Sequence, residues 1–188
     1  MLSDKIWLTR KTRIITEQRL INSNSISNYL VIWYSTILVF LTIWNLVYPD
    51  DRLNIFLALG SIAVLVVSAI LIAQKYSERS YTIRNCYIKL DELYSKVKRA
   101  EQIQDTNKIQ EFETEYSTIL QNVENHSEFD YLCLRFNLRN DPNTTLLKFK
   151  FVDWLSLILG HIISKLFVII YFLLPFGLGL LWIYLTKS

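Results

Sequence analysis

Between Tyr29 and Ala73 the chain holds two long runs without a formal charge, separated by one short polar turn. The first, Tyr29 to Tyr48, has 20 residues (YLVIWYSTILVFLTIWNLVY), and the second, Ile55 to Ala73, has 19 (IFLALGSIAVLVVSAILIA). At ~1.5 Å rise per residue each reaches about 30 Å as a helix, the thickness of a bilayer's hydrocarbon core. Buried helices of soluble proteins are usually shorter and relieved by a charge. Joined by Pro49-Asp50-Asp51-Arg52, the two runs predict a transmembrane helical hairpin.

Hydrophobic residues make up 52% of the 188-residue chain, but they lie in blocks, so most of them are expected to face lipid rather than one large soluble core. Formal net charge is only +3. Lys5, Arg10, Lys11, Arg13 and Arg19 precede the first run, against Asp4 and Glu17. That excess is membrane-proximal and lacks the clustered basic face of a nucleic-acid binder, so no nucleic-acid binding is expected. Cys86 and Cys133 stand alone, without ligand spacing or a disulfide framework, and read as reduced thiols. The first apolar run exceeds signal-peptide length and leads straight into the second, so no cleaved leader is expected.

Orientation follows from the positive-inside rule. Five Lys and Arg precede the first span, only Arg52 lies in the turn, and twelve lie between Lys75 and Lys150. The turn is therefore expected outside, with the N-terminus and residues 74–165 in the cytoplasm. Tyr29, Trp33, Tyr34, Trp44 and Tyr48 mark the two ends of the first span as an aromatic belt. Residues 1–28 predict a basic amphipathic helix with Trp7, Ile14 and Ile21 on one face, and the polar stretch Asn22 to Asn28 predicts a break that caps the span.

Beyond the hairpin, Ile83, Tyr87, Leu90, Tyr94 and Val97 form a heptad-like seam, and the second span is expected to run unbroken into it. Asp105 or Thr106 would cap a further helix with the seam Ile109, Phe112, Tyr116, Ile119 and Val123. Residues 74–137 thus predict a cytoplasmic antiparallel helical hairpin. Residues 138–148 read as a linker closed to helix by Pro142. Residues 149–165, broken by Lys150 and Asp153, read as an interfacial helix anchored by Trp154. Residues 166–185 are charge-free and predict a third transmembrane helix, bent or loosened around Pro175, Gly177 and Gly179. The expected fold class is an all-α membrane protein: a transmembrane hairpin, a long cytoplasmic helical extension, a C-terminal interfacial helix and a third transmembrane helix.

Catalytic chemistry finds no foothold in these residues. His126 and His161 lack further metal ligands, and none of the four glycines belongs to a phosphate-cradling loop. No carboxylates are paired in an apolar setting that would separate their pKa values. The reading is therefore not an enzyme, with no cofactor and no metal. Two other constellations stand out. Ser35, Thr42 and Asn45 share a face of the first span, and Ser61 and Ser68 share a face of the second. These either pack the helices through small polar contacts or line a narrow wet path in an oligomer. The densest polar motif is Glu124-Asn125-His126-Ser127-Glu128-Phe129-Asp130-Tyr131. Asn125 suits a left-handed helix end and Ser127 with Asp130 suits a capping box; the alternative is a role in receiving a signal or binding a partner. Asn125-His126-Ser127 and Asn143-Thr144-Thr145 also match glycosylation acceptors, on the expected cytoplasmic side.

The basic amphipathic N-terminal helix, the two-span hairpin, the polar helical section and the Glu124-Asn125-His126-Ser127-x-x-Asp130-Tyr131 ending together resemble the SLATT family over roughly residues 5–135. These are bacterial two-transmembrane effector domains associated with nucleotide-second-messenger systems and, in one branch, with reverse transcriptases. The resemblance implies an inner-membrane effector of an anti-phage or conflict system. It would form a homo-oligomeric pore or disrupt the membrane when an associated sensor, nucleotide synthase or reverse transcriptase triggers it, in the manner of abortive infection. It supplies no catalytic residues, and the third span lies outside the two-span core. The competing reading is a membrane-anchored scaffold or sensor that binds a partner through its cytoplasmic helices and has no pore.

Overall fold

The structure, a computed structural model, describes residues 1–121, 123–139 and 150–187; the side chains of 176 and 178–187 fall outside that description. Six helices follow in order: α1 (Leu2–Val47), α2 (Asp51–Ala73), α3 (Tyr76–Gln102), α4 (Thr106–Gln121), α5 (Glu128–Leu138) and α6 (Phe151–Lys187). All regular structure among the described residues is helical, and α1, α2 and α6 each contain a stretch long and apolar enough to cross a membrane. The fold is an all-α membrane-type fold. The chain divides into two units, Met1–Asn22 with Tyr76–Ile158, and Ser23–Lys75 with Leu159–Ser188.

In the first unit, α3 and α4 form an antiparallel hairpin. The pairings Arg79–Glu124 and Lys96–Glu115 fix its direction. Its turn is a Schellman motif. Gln104 is left-handed (φ 57°), its N–H reaches the Glu101 carbonyl at 3.3 Å, and the Asp105 N–H reaches Ala100 at 3.1 Å. Asp105 then caps α4 through the Lys108 N–H at 3.2 Å. The core gathers Ile6, Cys86, Leu90, Leu93, Val97 and Tyr116, flanked by Phe112, Ile119 and Val123.

The buried apolar residues of α3 run Ile83, Cys86, Leu90, Leu93, Val97, Ala100, an alternation of three and four, with Ser80 buried one turn ahead of them. Tyr87 and Tyr94, placed in the seam by sequence, stand half-buried at its edge. A phenol prefers that edge because its hydroxyl needs a polar partner. Cys86 and Leu93, which need none, fill the interior. Both cysteines are free thiols, and burial raises the Cys86 thiol pKa.

Residues 2–22 of α1 lie in this unit and bury Ser3, Ile6, Thr12, Arg13, Thr16, Glu17 and Leu20. That is not the expected face: Ile14 is exposed, and Trp7 and Ile21 are half-exposed. The inward face is polar because its partners on α3, α4 and α5 are polar. The expected cap at Asn22 to Asn28 is also absent, since α1 runs through it. Ser and Asn lower helix propensity by only about 0.5 kcal/mol each, and no Gly or Pro interrupts the stretch.

The second unit holds the apolar helices. α2 begins at Asp51, where the Asp50 side chain accepts from the Arg52 and Leu53 N–H groups, and it buries no residue. α1 and α2 approach closely at Gly60, where an added Cβ would sit 2.9 Å from Leu38 Cδ2. The helix after the turn does not continue into α3 as expected. α2 ends at Ala73, and Lys75 turns left-handed (φ 49°) with its N–H on the Ile72 carbonyl at 3.1 Å.

α6 is one helix where the sequence suggested two, 149–165 and 166–185. Lys150 and Asp153 do not break it because they stand at its start: Asp153 accepts from the Lys150 N–H at 2.9 Å and from Arg135 at 2.7 Å. Trp154 stacks on Phe151 at 6.0 Å. Pro175 lies inside the helix. Its missing N–H frees the Tyr171 carbonyl four residues back, and the Tyr34 hydroxyl of α1 donates to that oxygen at 2.6 Å. Trp33 Nε1 donates to the next carbonyl, Phe172, at 3.2 Å. Residues 140–149, most of the expected linker and the acceptor sequence at Asn143, lie outside the described residues.

Candidate functional site

The site is the grip of the 124–131 segment on the N-terminal part of α1, all within the first unit. It is built from a local motif. Ser127 is the N-cap of α5: its hydroxyl accepts from the Asp130 N–H at 3.2 Å, and the Asp130 carboxylate accepts from the Ser127 N–H at 3.0 Å. This reciprocal capping box uses Asp at the position Glu more often fills. Asn125 is not left-handed; among the described residues only Lys75 and Gln104 are.

The box leaves Asp130 with spare acceptor capacity, and α1 uses it. Arg19 presents a bidentate fork, Nε to Oδ1 at 2.8 Å and Nη2 to Oδ2 at 3.1 Å. The Thr16 hydroxyl lies 3.0 Å from Oδ2 and 3.1 Å from the Thr12 carbonyl, so one proton is shared between them. Asp130 is 1% exposed and stays ionised. Burial alone would raise its pKa, but the Arg19 hydrogen bond, the Ser127 N–H and hydroxyl, and the Arg19 charge together bring it below the ordinary carboxylate value. Arg19 is held correspondingly above its ordinary value, chiefly by the Asp130 hydrogen bond.

One turn earlier on α1, Arg13 is 1% exposed. It donates to the backbone carbonyl of Glu124 and lies 3.4 Å from Asn125 Oδ1, while its buried Nε has no hydrogen-bond partner among the described residues. The Glu124 carboxylate is taken instead by Arg79 of α3, at 2.9 and 3.1 Å. His126 stacks obliquely near Tyr131, with ring centroids 6.1 Å apart. Burial first, then the Arg13 charge, lowers the His126 pKa, with Asp130 opposing.

Further pairs line the same face of α1. Arg84 donates to Glu17 at 2.6 Å, Arg10 pairs with Asp91, the Thr9 hydroxyl meets the Tyr116 hydroxyl at 2.9 Å, and Ser3 donates twice to Glu101. The bound carboxylate of Glu101 has a lowered pKa: burial opposes the shift, and the Ser3 hydrogen bonds outweigh it.

This belt of ion pairs around one helix, closed by the 124–131 capping box, lies within the region that matches a known family. Residues 1–181 match the model of the SMODS and SLOG-associating 2TM effector domain family 5. The chain belongs to the SLATT family. The match extends well past residue 135, so it takes in most of α6, which the sequence reading placed outside the family core. No curated protein and no solved structure matches the chain. SLATT is a family of membrane effector domains and not a known enzyme family. Among the described residues no group of three or more His, Cys, Asp or Glu could hold a metal ion.

Of the residues singled out by sequence, Glu124, Asn125, Ser127 and Asp130 come together in the grip, with His126 and Tyr131 beside it. The second set does not converge in the same way. The hydroxyls of Thr42, Ser61 and Ser68 donate to the Leu38, Ala58 and Leu65 carbonyls of their own helices at 2.7–2.8 Å. Asn45 is buried in the hairpin turn, bridging Asn54 at 2.5 Å and the Asp50 N–H at 3.0 Å. Ser35 is half-buried. Sequence reasoning missed Arg13, Thr16 and Arg19, although their i, i+3, i+6 spacing puts them on one helical face.

Proposed function

We propose that the chain is a bacterial inner-membrane effector of a conflict system, silent while the 124–131 segment grips α1 and permeabilising the membrane when a partner loosens that grip. The observation that carries this reading is the continuity of α1. Residues gripped by Asp130 and Glu124, and the apolar residues from Tyr29 onward, belong to one helix. Through that continuity, releasing the first part would bias the second to the extent that the grip is compatible with one arrangement of the spans and not the other. Biasing two packings of the spans takes only a few kcal/mol, and leaving the buried Asp130 carboxylate without its half-exposed Arg19 partner is of that order.

Two or three helices of one copy enclose no lumen, so the conducting form is a homo-oligomer. Its wet face would carry Ser35, Thr42, Ser61 and Ser68; the hydroxyls of the last three donate to their own helix backbone and keep oxygen lone pairs for water. The Lys and Arg distribution supports placing the N-terminus and residues 74–165 in the cytoplasm. The partner is then a cytoplasmic sensor or nucleotide-handling protein, as the family's name suggests. Co-expression with a SMODS- or SLOG-type sensor protein and its trigger should give dye uptake and loss of membrane potential. Intact potential under triggering would refute it.

A second reading, an anchored scaffold without a pore, draws support from Tyr81 and Ile88, two exposed apolar side chains seven residues apart on α3. It predicts that Ile88→Asp abolishes activity and Ser61→Leu does not. The pore reading predicts sensitivity at Ser61.

A further inference from the structure

The turn between α1 and α2 has a construction that span-forming does not require. Trp44 and Tyr48 stand with ring centroids 4.9 Å apart and planes tilted by 39°, both more than half exposed. With Pro49, Asp50 and Leu53 they line an open cleft. Asn45, 7% exposed, fixes the turn from beneath through Asn54 and the Asp50 N–H. Asp50 commits Oδ1 to capping α2, at 2.8 Å from the Arg52 N–H and 3.4 Å from Leu53. Among the described residues nothing hydrogen-bonds its Oδ2. Arg52, two residues on, is exposed and makes no ion pair with any described residue.

The two rings cover each other's inner faces, and an outward aromatic face beside a carboxylate suits an alkylammonium group, which the ring quadrupole and the negative oxygen attract together. An adjacent guanidinium suits a phosphate. We propose that this turn binds the zwitterionic headgroup of an ethanolamine phospholipid, with the ammonium in the Trp44–Tyr48–Asp50 cleft and the phosphate on Arg52. Charge complementarity decides for this occupant over an anionic lipid: Asp50 and Asp51 repel a headgroup that carries phosphate without an ammonium. Position decides too, because a turn that ends two spans lies at headgroup depth. The inference therefore rests on the transmembrane reading of α1 and α2.

The test uses the full chain in detergent micelles, offered equal amounts of phosphatidylethanolamine and phosphatidylglycerol with matched acyl chains, and reads retained lipid by native mass spectrometry. Wild type should retain the ethanolamine lipid about 2- to 5-fold over the glycerol lipid, the range an exposed cation–π site supports. Asp50→Asn keeps a good helix cap while removing the charge, so it should fold normally and lose the preference. Trp44→Leu should lose it as well. Equal retention by wild type, or a preference that survives both substitutions, would overturn the headgroup site and leave the spans standing. Retention of neither lipid would instead strike at the transmembrane reading beneath it.

Discussion

Asp130 is a carboxylate with a backbone N–H, a hydroxyl and a bidentate guanidinium all pointed at it, at 1% exposure. Half of that arrangement was legible in the sequence and half was not. Ser127 and Asp130 are three residues apart, so their capping box is a local matter. Arg19 lies 111 residues away in the chain, and no local pattern ties it to its partner. The asymmetry of the pair sets the prediction. Arg19→Ala leaves a buried carboxylate without its counterion and should cost about 3 kcal/mol, read as a lowered unfolding midpoint of the detergent-solubilised protein. Arg19→Lys, keeping charge but not the fork, should fall between. Acid separates two neighbouring groups. Asp130 has a folded pKa below its ordinary 3.8, so its stabilisation is complete above that value and lost as pH falls through the lowered one. His126 is also lowered, from 6.5, so stability already declines as pH drops below 6.5 and the unfolded chain protonates first. Unfolding midpoints measured from pH 7 to 3 should therefore fall in two limbs. His126→Gln should flatten the upper limb and leave the lower one.

Helix existence was plain from the charge-free runs and seams, whereas helix ends and faces were less so. The Asn22 to Asn28 stretch looked like a break because Ser and Asn favour caps, but tertiary hold on α1 outweighs a small propensity cost. The α3 seam read through Tyr87 and Tyr94 was one residue off the interior line of Cys86 and Leu93, since aromatic size mimics a core position. α6 carried its own signal in Pro175, and the structure supplies the other half in Tyr34. The freed Tyr171 carbonyl lies in a segment expected in hydrocarbon, where water cannot satisfy it. Tyr34→Phe should therefore destabilise the packing of α6 on α1 by about 1–2 kcal/mol. Pro175→Ala restores the N–H that serves the same oxygen, so the double variant should recover most of the loss. A double-mutant cycle on thermal unfolding checks this, and additive effects would remove the proposed link.

At the scale of the whole molecule, three apolar helices and a charged helical hairpin follow from charge distribution alone. The match over residues 1–181 is to a family described by two spans, so the family accounts for a membrane effector domain and not for the number of apolar helices. The grip on α1 does not follow from charge distribution, because it depends on which of many exposed-looking charges become partners. Central to the account is that this grip keeps the spans silent. The most direct measurement is leakage of a self-quenched dye from vesicles reconstituted with the full chain, comparing wild type, Arg19→Ala and Arg19→Lys at equal protein incorporation. The account predicts slow leakage for wild type, fast leakage for Arg19→Ala and an intermediate rate for Arg19→Lys. Equal leakage from all three, or less from Arg19→Ala than from wild type, would contradict it.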